Sequence, residues 1–89
     1  TAALMLPHYA LAQLHFRRGE LEGAARSLER AVERMPYFVD GLVGLGEIYR
    51  RMGRTALARA RFDEALFFDP ASRDIRQRLE QLDRPGPPR

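Results

Sequence analysis

Slid 34 residues along itself, the chain realigns at the positions where helix packing tolerates least variation. Leu11 falls on Leu45, Arg17 on Arg51, Gly19 on Gly53, Ala24 on Ala58, Ala31 on Ala65 and Pro36 on Pro70. At the same offset His15 meets Tyr49, Ala12 meets Gly46 and Leu28 meets Phe62. A single period of this length marks a repeat architecture, in which no unit can bury its apolar face alone and neighbours must stack.

Each unit reads as two helices. Tyr9, Leu11, Ala12, Leu14 and His15 recur at helical spacing, and Gly19 stops that helix. A second helix spans about Glu22 to Arg34, with Ala24, Leu28, Ala31 and Val32 on one stripe, and Pro36 ends it. The next unit repeats the plan with Val39–Met52, a turn at Gly53, and Ala56–Phe68 closed by Asp69-Pro70. Thr55 is the expected N-cap of that last helix. Ala12 and Gly46 mark the helix crossings, faced by Ala24 and Ala58, because only small side chains let two backbones approach closely. The spacing thus predicts an all-α fold of tandem antiparallel helix–turn–helix repeats, an α-solenoid of about five helices. Its expected parts are a lead-in over residues 1–6, repeats over 7–38 and 39–71, a capping helix over 72–83 and a disordered tail over 84–89.

These residues resemble the tetratricopeptide signature, in which Leu-Gly, Tyr, Ala, Phe and Pro follow a tryptophan-like position at fixed offsets. The second unit carries it nearly complete in Leu42, Leu45, Gly46, Tyr49, Ala58, Phe62 and Pro70. The first is degraded to His8, Leu11, Ala12, His15, Ala24, Leu28 and Pro36. Residues 72–83 resemble the capping helix of such arrays: Leu79 and Leu82 extend the stripe of Leu45 and Ile48, while Glu80 and Asp83 replace Gly46 and Tyr49.

The resemblance implies a protein-interaction module, an adaptor or scaffold, that binds a peptide segment or helix in a concave groove lined by the first helix of each unit. It places Leu6, Tyr9, Ala10, Gln13, Phe16 and Arg17 there from the first unit. From the second come Asp40, Val43, Gly44, Glu47, Arg50 and Arg51, and from the cap Asp74, Gln77, Arg78 and Gln81. Tyr9, Phe16 and Val43 would form an apolar floor, and Arg17, Arg50, Arg51 and Arg78 would grip carboxylates or a peptide backbone. A subtype of the family that clamps the carboxylate of chaperone tails needs Lys, Asn and Arg at set positions. Tyr9, Val43, Gln13, Glu47 and Gly44 stand there instead, and only Arg78 fits. Phe67 aligns with Glu33, on a face that water normally wets. It is expected to be covered by the capping helix, with a secondary protein contact as the second reading. The resemblance leaves two other roles open: a structural or self-associating segment of a longer array, and an adaptor appended to a bacterial signalling enzyme.

Other chemistries find little support. There is no cysteine, which removes disulfides, thiol catalysis and zinc–thiolate sites and fits a reducing, cytoplasmic setting. No apolar run nears the ~20 residues that cross a bilayer. All fifteen basic residues are Arg, as a GC-rich bacterial genome would favour, but twelve acidic residues are interspersed among them. That mixture argues against nucleic acid as a partner. His8 and His15 share a helix without an evident carboxylate beside them, so neither a metal nor any cofactor is expected. Glu22–Arg26, Arg59–Asp63 and Asp74–Arg78 are spaced four apart, as surface ion pairs on one helix are. No catalytic constellation emerges, and the chain reads as a non-enzyme.

Overall fold

Two glycines set the geometry of the chain. In a computed structural model that describes residues 2–84, and side chains from Pro7 onward, Gly19 and Gly53 have φ of 74° and 77°. Each closes a helix in the same way. Gly19 N–H donates to the Phe16 carbonyl and Glu20 N–H to His15; Gly53 donates to Arg50 and Arg54 to Tyr49. This paired pattern satisfies carbonyls left open at a helix end and needs a left-handed residue that glycine supplies without a Cβ clash.

Five α-helices result: α1 (Ala2–Arg17), α2 (Leu21–Arg34), α3 (Val39–Arg51), α4 (Thr55–Phe68) and α5 (Arg73–Asp83). Met35 and Asp69 end α2 and α4 with nearly equal, non-helical dihedrals. Each precedes a proline, whose ring disfavours helical geometry in the residue before it. The helices pack in chain order, most extensively within the pairs α1–α2 and α3–α4. The path therefore zigzags between two layers, with α1, α3 and α5 in one and α2 and α4 in the other.

The core lies where the layers cross. Leu42, Leu45, Phe62 and Ile75 are fully buried, and Ala24, Ala58 and Ala65 fill the close approaches. Gly46 is the tightest of these: a Cβ built on it would lie 2.4 Å from the Phe62 ring. The small-residue pattern thus has a steric cause.

Three expectations are corrected. The helix begins at Ala2 and passes through Pro7, so residues 2–6 belong to α1 and not to a lead-in. Ala, Leu and Met form helix well and carry α1 through Pro7, which withholds one N–H from the ladder and crowds the carbonyl four residues back. Arg54, not Thr55, caps α4, and no side chain bonds there. Only Arg54 separates the turn glycine from α4, so Thr55 already lies in the first turn. By contrast, Ser72 caps α5 with its hydroxyl accepting from Ile75 N–H at 3.2 Å. The ion pairs are rewired as well: Asp74–Arg78 forms, but Arg59 pairs with Asp83 and Glu22 with Arg54 across helices. The expected tail begins at Arg84, and residues 85–89 lie outside the described residues.

Candidate functional site

A cleft of about 550 Å³ opens along the layer of α1, α3 and α5. Its apolar base comes from core side chains: Ala12 of α1, Leu28 of α2, Ile48 of α3 and Ile75 of α5. Those residues are held by helix packing, so the base is rigid. Above it α1 contributes Tyr9, Gln13, Phe16 and Arg17, α3 contributes Val43 and Glu47, and α5 contributes Arg78. With Asp40, Gly44 and Asp74, ten of the sixteen groove residues expected from the sequence meet there. Arg50 and Arg51 do not line the cleft, although each touches a residue that does.

The aromatic groups are half-buried and fixed by neighbours. Tyr9 meets Phe38 edge-on at 5.4 Å between centroids. The Arg51 guanidinium lies 4.6 Å from the centre of the Phe16 ring, in cation–π contact. Arg50 grips Glu47 with two bonds, of 3.0 and 2.8 Å, and Arg78 reaches the same carboxylate at 3.5 Å while bonding Asp74 at 2.9 Å. The Glu47 carboxyl is held below its ordinary range, chiefly by the Arg50 hydrogen bond and then by the charges of Arg50, Arg78 and Arg51; partial burial opposes them. Three of the four arginines expected to grip a partner are therefore engaged within the protein. Of the four, Arg17 alone has neither an ion pair nor a cation–π contact among the described residues.

Several cleft residues escaped the sequence reading. Asp69 and Ser72 line it from the α4–α5 turn, and Val39 and Ile75 from the starts of α3 and α5. Asp69 read only as a helix terminator; its signal is that it closes the helix just before the cap, on the side where α5 begins. Gln77 and Gln81 lie outside the cleft, and the side chain of Leu6 is not among those described.

Residues 15–82 match the family described as Tetratricopeptide repeat, a stretch of two full periods. The chain belongs to the tetratricopeptide repeat family. It is also 42% identical over 55 residues to Tetratricopeptide repeat protein 21A of Mus musculus. That match covers 62% of the chain but only 4% of the relative, so the chain spans a small part of that protein. Tetratricopeptide repeats generally mediate protein–protein interaction, and the layer that forms the cleft is the one the family resemblance assigns to partner contact.

Outside the cleft, two tetratricopeptide-based expectations change. Phe67 is 79% exposed and touches Phe68 edge-on, so α5 does not cover it. It sits on the outward side of α4, and α5 packs through Ile75, Leu79 and Leu82 instead. His15 does have a carboxylate beside it: its Nδ1 lies 3.2 Å from Glu20 Oε2, brought there by the glycine turn. No group of three or more His, Cys, Asp or Glu able to hold a metal occurs among the described residues. No described helix is long and apolar enough to cross a membrane.

Proposed function

We propose that this chain is a protein-interaction module, an adaptor or scaffold, that receives a polypeptide segment in the cleft between α1, α3 and α5. The observation that carries the reading is the cleft itself, with a rigid apolar base and half-buried aromatic walls at Tyr9 and Phe16. A concave apolar surface with a few placed polar groups is how folded proteins hold ligands, and a segment laid across parallel helices is a recurring mode of peptide recognition. Tyr9, Gln13, Phe16, Arg17, Val43, Glu47 and Arg78 are the contact residues in this reading, with Arg50 and Arg51 as supports that orient Glu47 and Phe16. Phe67 is a secondary contact on another face. The reading assigns no catalytic, cofactor or nucleic-acid role.

The test compares partner capture by the wild type, by a Tyr9→Ala/Val43→Arg variant and by Phe67→Ser, with helicity matched by circular dichroism. The expected result is a protein held by the wild type and by Phe67→Ser but lost by the cleft variant. A partner retained by the cleft variant and lost by Phe67→Ser would move the site to α4.

A second reading, a structural segment of a longer array or a self-associating one, rests on a different observation. Leu11 and Leu14 are nearly half exposed, whereas Leu45 and Ile48, their equivalents, are buried. Light scattering that finds only monomer at high concentration, unchanged by Leu11→Gln/Leu14→Gln, would exclude self-pairing through that face.

A further inference from the structure

The charges around the cleft select the kind of segment it can take. Four carboxylates line it, Asp40, Glu47, Asp69 and Asp74, against two guanidiniums, Arg17 and Arg78. The difference widens once internal pairs are counted. Glu47 is neutralised by Arg50 and Arg78, and Arg78 is shared with Asp74. Asp40 and Asp69 have no ion-pair or side-chain hydrogen-bond partner among the described residues, and both are exposed. Arg17, the one unpaired guanidinium of the lining, stands on α1, across α3 from α5.

We propose that the cleft selects a polypeptide segment in which a Lys or Arg lies beside large apolar side chains, the cation toward Asp40, Asp69 and Asp74 and the apolar part toward Tyr9, Phe16 and Val43. This rests on the cleft being the binding site and adds the chemistry of the occupant. An incoming carboxylate finds one free guanidinium, Arg17 on α1, but on the α5 side it would have to draw Arg78 from two acidic partners. An incoming cation breaks nothing and meets carboxylates that already face solvent. The first turns of α3 and α5 offset part of that negative charge, because each helix start carries about half a positive charge. With Asp74 set against Arg78, the two full negative charges of Asp40 and Asp69 still exceed two such halves, so the α5 side of the cleft stays attractive to a cation.

The family resemblance pointed the other way, to arginines gripping carboxylates or a peptide backbone. Those arginines are present, but tertiary packing directs most of them at the protein's own acids and at Phe16.

The assignment is tested by selecting a displayed library of random decapeptides on the 89-residue chain at low ionic strength. Enriched peptides are then synthesised and their affinities measured by fluorescence anisotropy against three proteins: wild type, Asp40→Asn/Asp69→Asn and Val43→Arg. The expected peptides carry Lys or Arg next to Leu, Ile or Phe. Their affinity should fall with salt, and on the order of tenfold in the double Asn variant, as for loss of a charge-assisted contact. A selection without basic enrichment, or peptides indifferent to the double Asn change, overturns the charge assignment. Acidic peptides lost by Val43→Arg would do so while leaving the cleft as the binding site. Peptides that bind Val43→Arg as well as wild type would remove the cleft reading itself. Circular dichroism on each variant separates lost binding from lost fold.

Discussion

Leu11 and Leu45 hold the same place in the two repeats, yet Leu11 is 44% exposed and Leu45 not at all. Leu14 and Ile48 differ in the same way, at 43% and 3%. The residue types are alike, so the difference comes from the neighbours: α3 lies between α2 and α4, while α1 packs chiefly on α2. The polar positions follow suit. Tyr49 crosses the junction between repeats to bond Glu29 at 2.8 Å, and Arg61 bonds both oxygens of that carboxylate at 3.0 and 2.7 Å. His15, its counterpart, turns instead to Glu20 in its own turn. The repeat code thus specifies which faces are able to be buried, and stacking decides which are.

The largest effect should come from cutting the same side chain in both repeats. Leu45→Ala removes a fully buried group and should cost about 2–5 kcal/mol. Leu11→Ala should stay below about 1 kcal/mol, nearer the range of surface changes. Urea denaturation of the two variants measures both. Equal losses would mean that Leu11 is covered in solution, and would join the two repeats into one environment.

Gly46 and Ala12 sharpen the comparison at the helix crossing. Gly46→Ala should destabilise by about 1–3 kcal/mol, because the methyl group runs into the Phe62 ring. That outweighs the ~1 kcal/mol that alanine gains in a helix interior. The first repeat already carries Ala12 opposite the smaller Leu28, so pairing Gly46→Ala with Phe62→Leu should recover part of the loss. Thermal melts of the single and double variants give the coupling directly.

What could be read from the sequence follows from this physics. The turn glycines, the prolines after α2 and α4 and the small crossing residues were legible because each answers a local demand that few residue types meet. The start of α1 was not, since Pro7 looks like a boundary when only punctuation is visible. The ion pairs and the charge of the cleft were hidden for another reason. Arg59 has Asp63 four residues along its own helix but reaches Asp83 instead, and such choices exist only once helices are adjacent. Groove membership was legible for α1 and α3 from the repeat; Asp69 came into view only when the α4–α5 turn was placed.

The Tyr49 junction predicts a smaller, pH-dependent effect. Burial first, and then the bond to Glu29, push the Tyr49 hydroxyl from 10.0 up to about 12. A proton held more tightly in the folded state adds stability that is fully present below the unfolded value. It is lost as pH climbs from about 10 toward 12. Tyr49→Phe should cost about 1 kcal/mol at neutral pH, as for one hydrogen bond. It should also flatten the alkaline decline in stability. Absorbance titration at alkaline pH should show one of the three tyrosines ionising late in wild type and that late step missing from the variant. Simultaneous ionisation of all three would mean that the bond across the repeats does not persist in solution.

The smallest effect is expected where the two repeats differ most in residue type and least in surroundings. Phe67 takes the place of Glu33, and both positions face water. Phe67→Glu makes the second repeat like the first there, and its unfolding free energy should change by no more than about 0.5 kcal/mol. If α5 covered the ring, removing it would cost several times as much and would loosen the cap, so a change above about 1 kcal/mol would count against the exposed placement. An exposed aromatic that contributes nothing to folding is a surface apolar group available for contact. The informative second readout is therefore light scattering at high concentration, where reduced association in Phe67→Glu would assign this face a contact separate from the cleft.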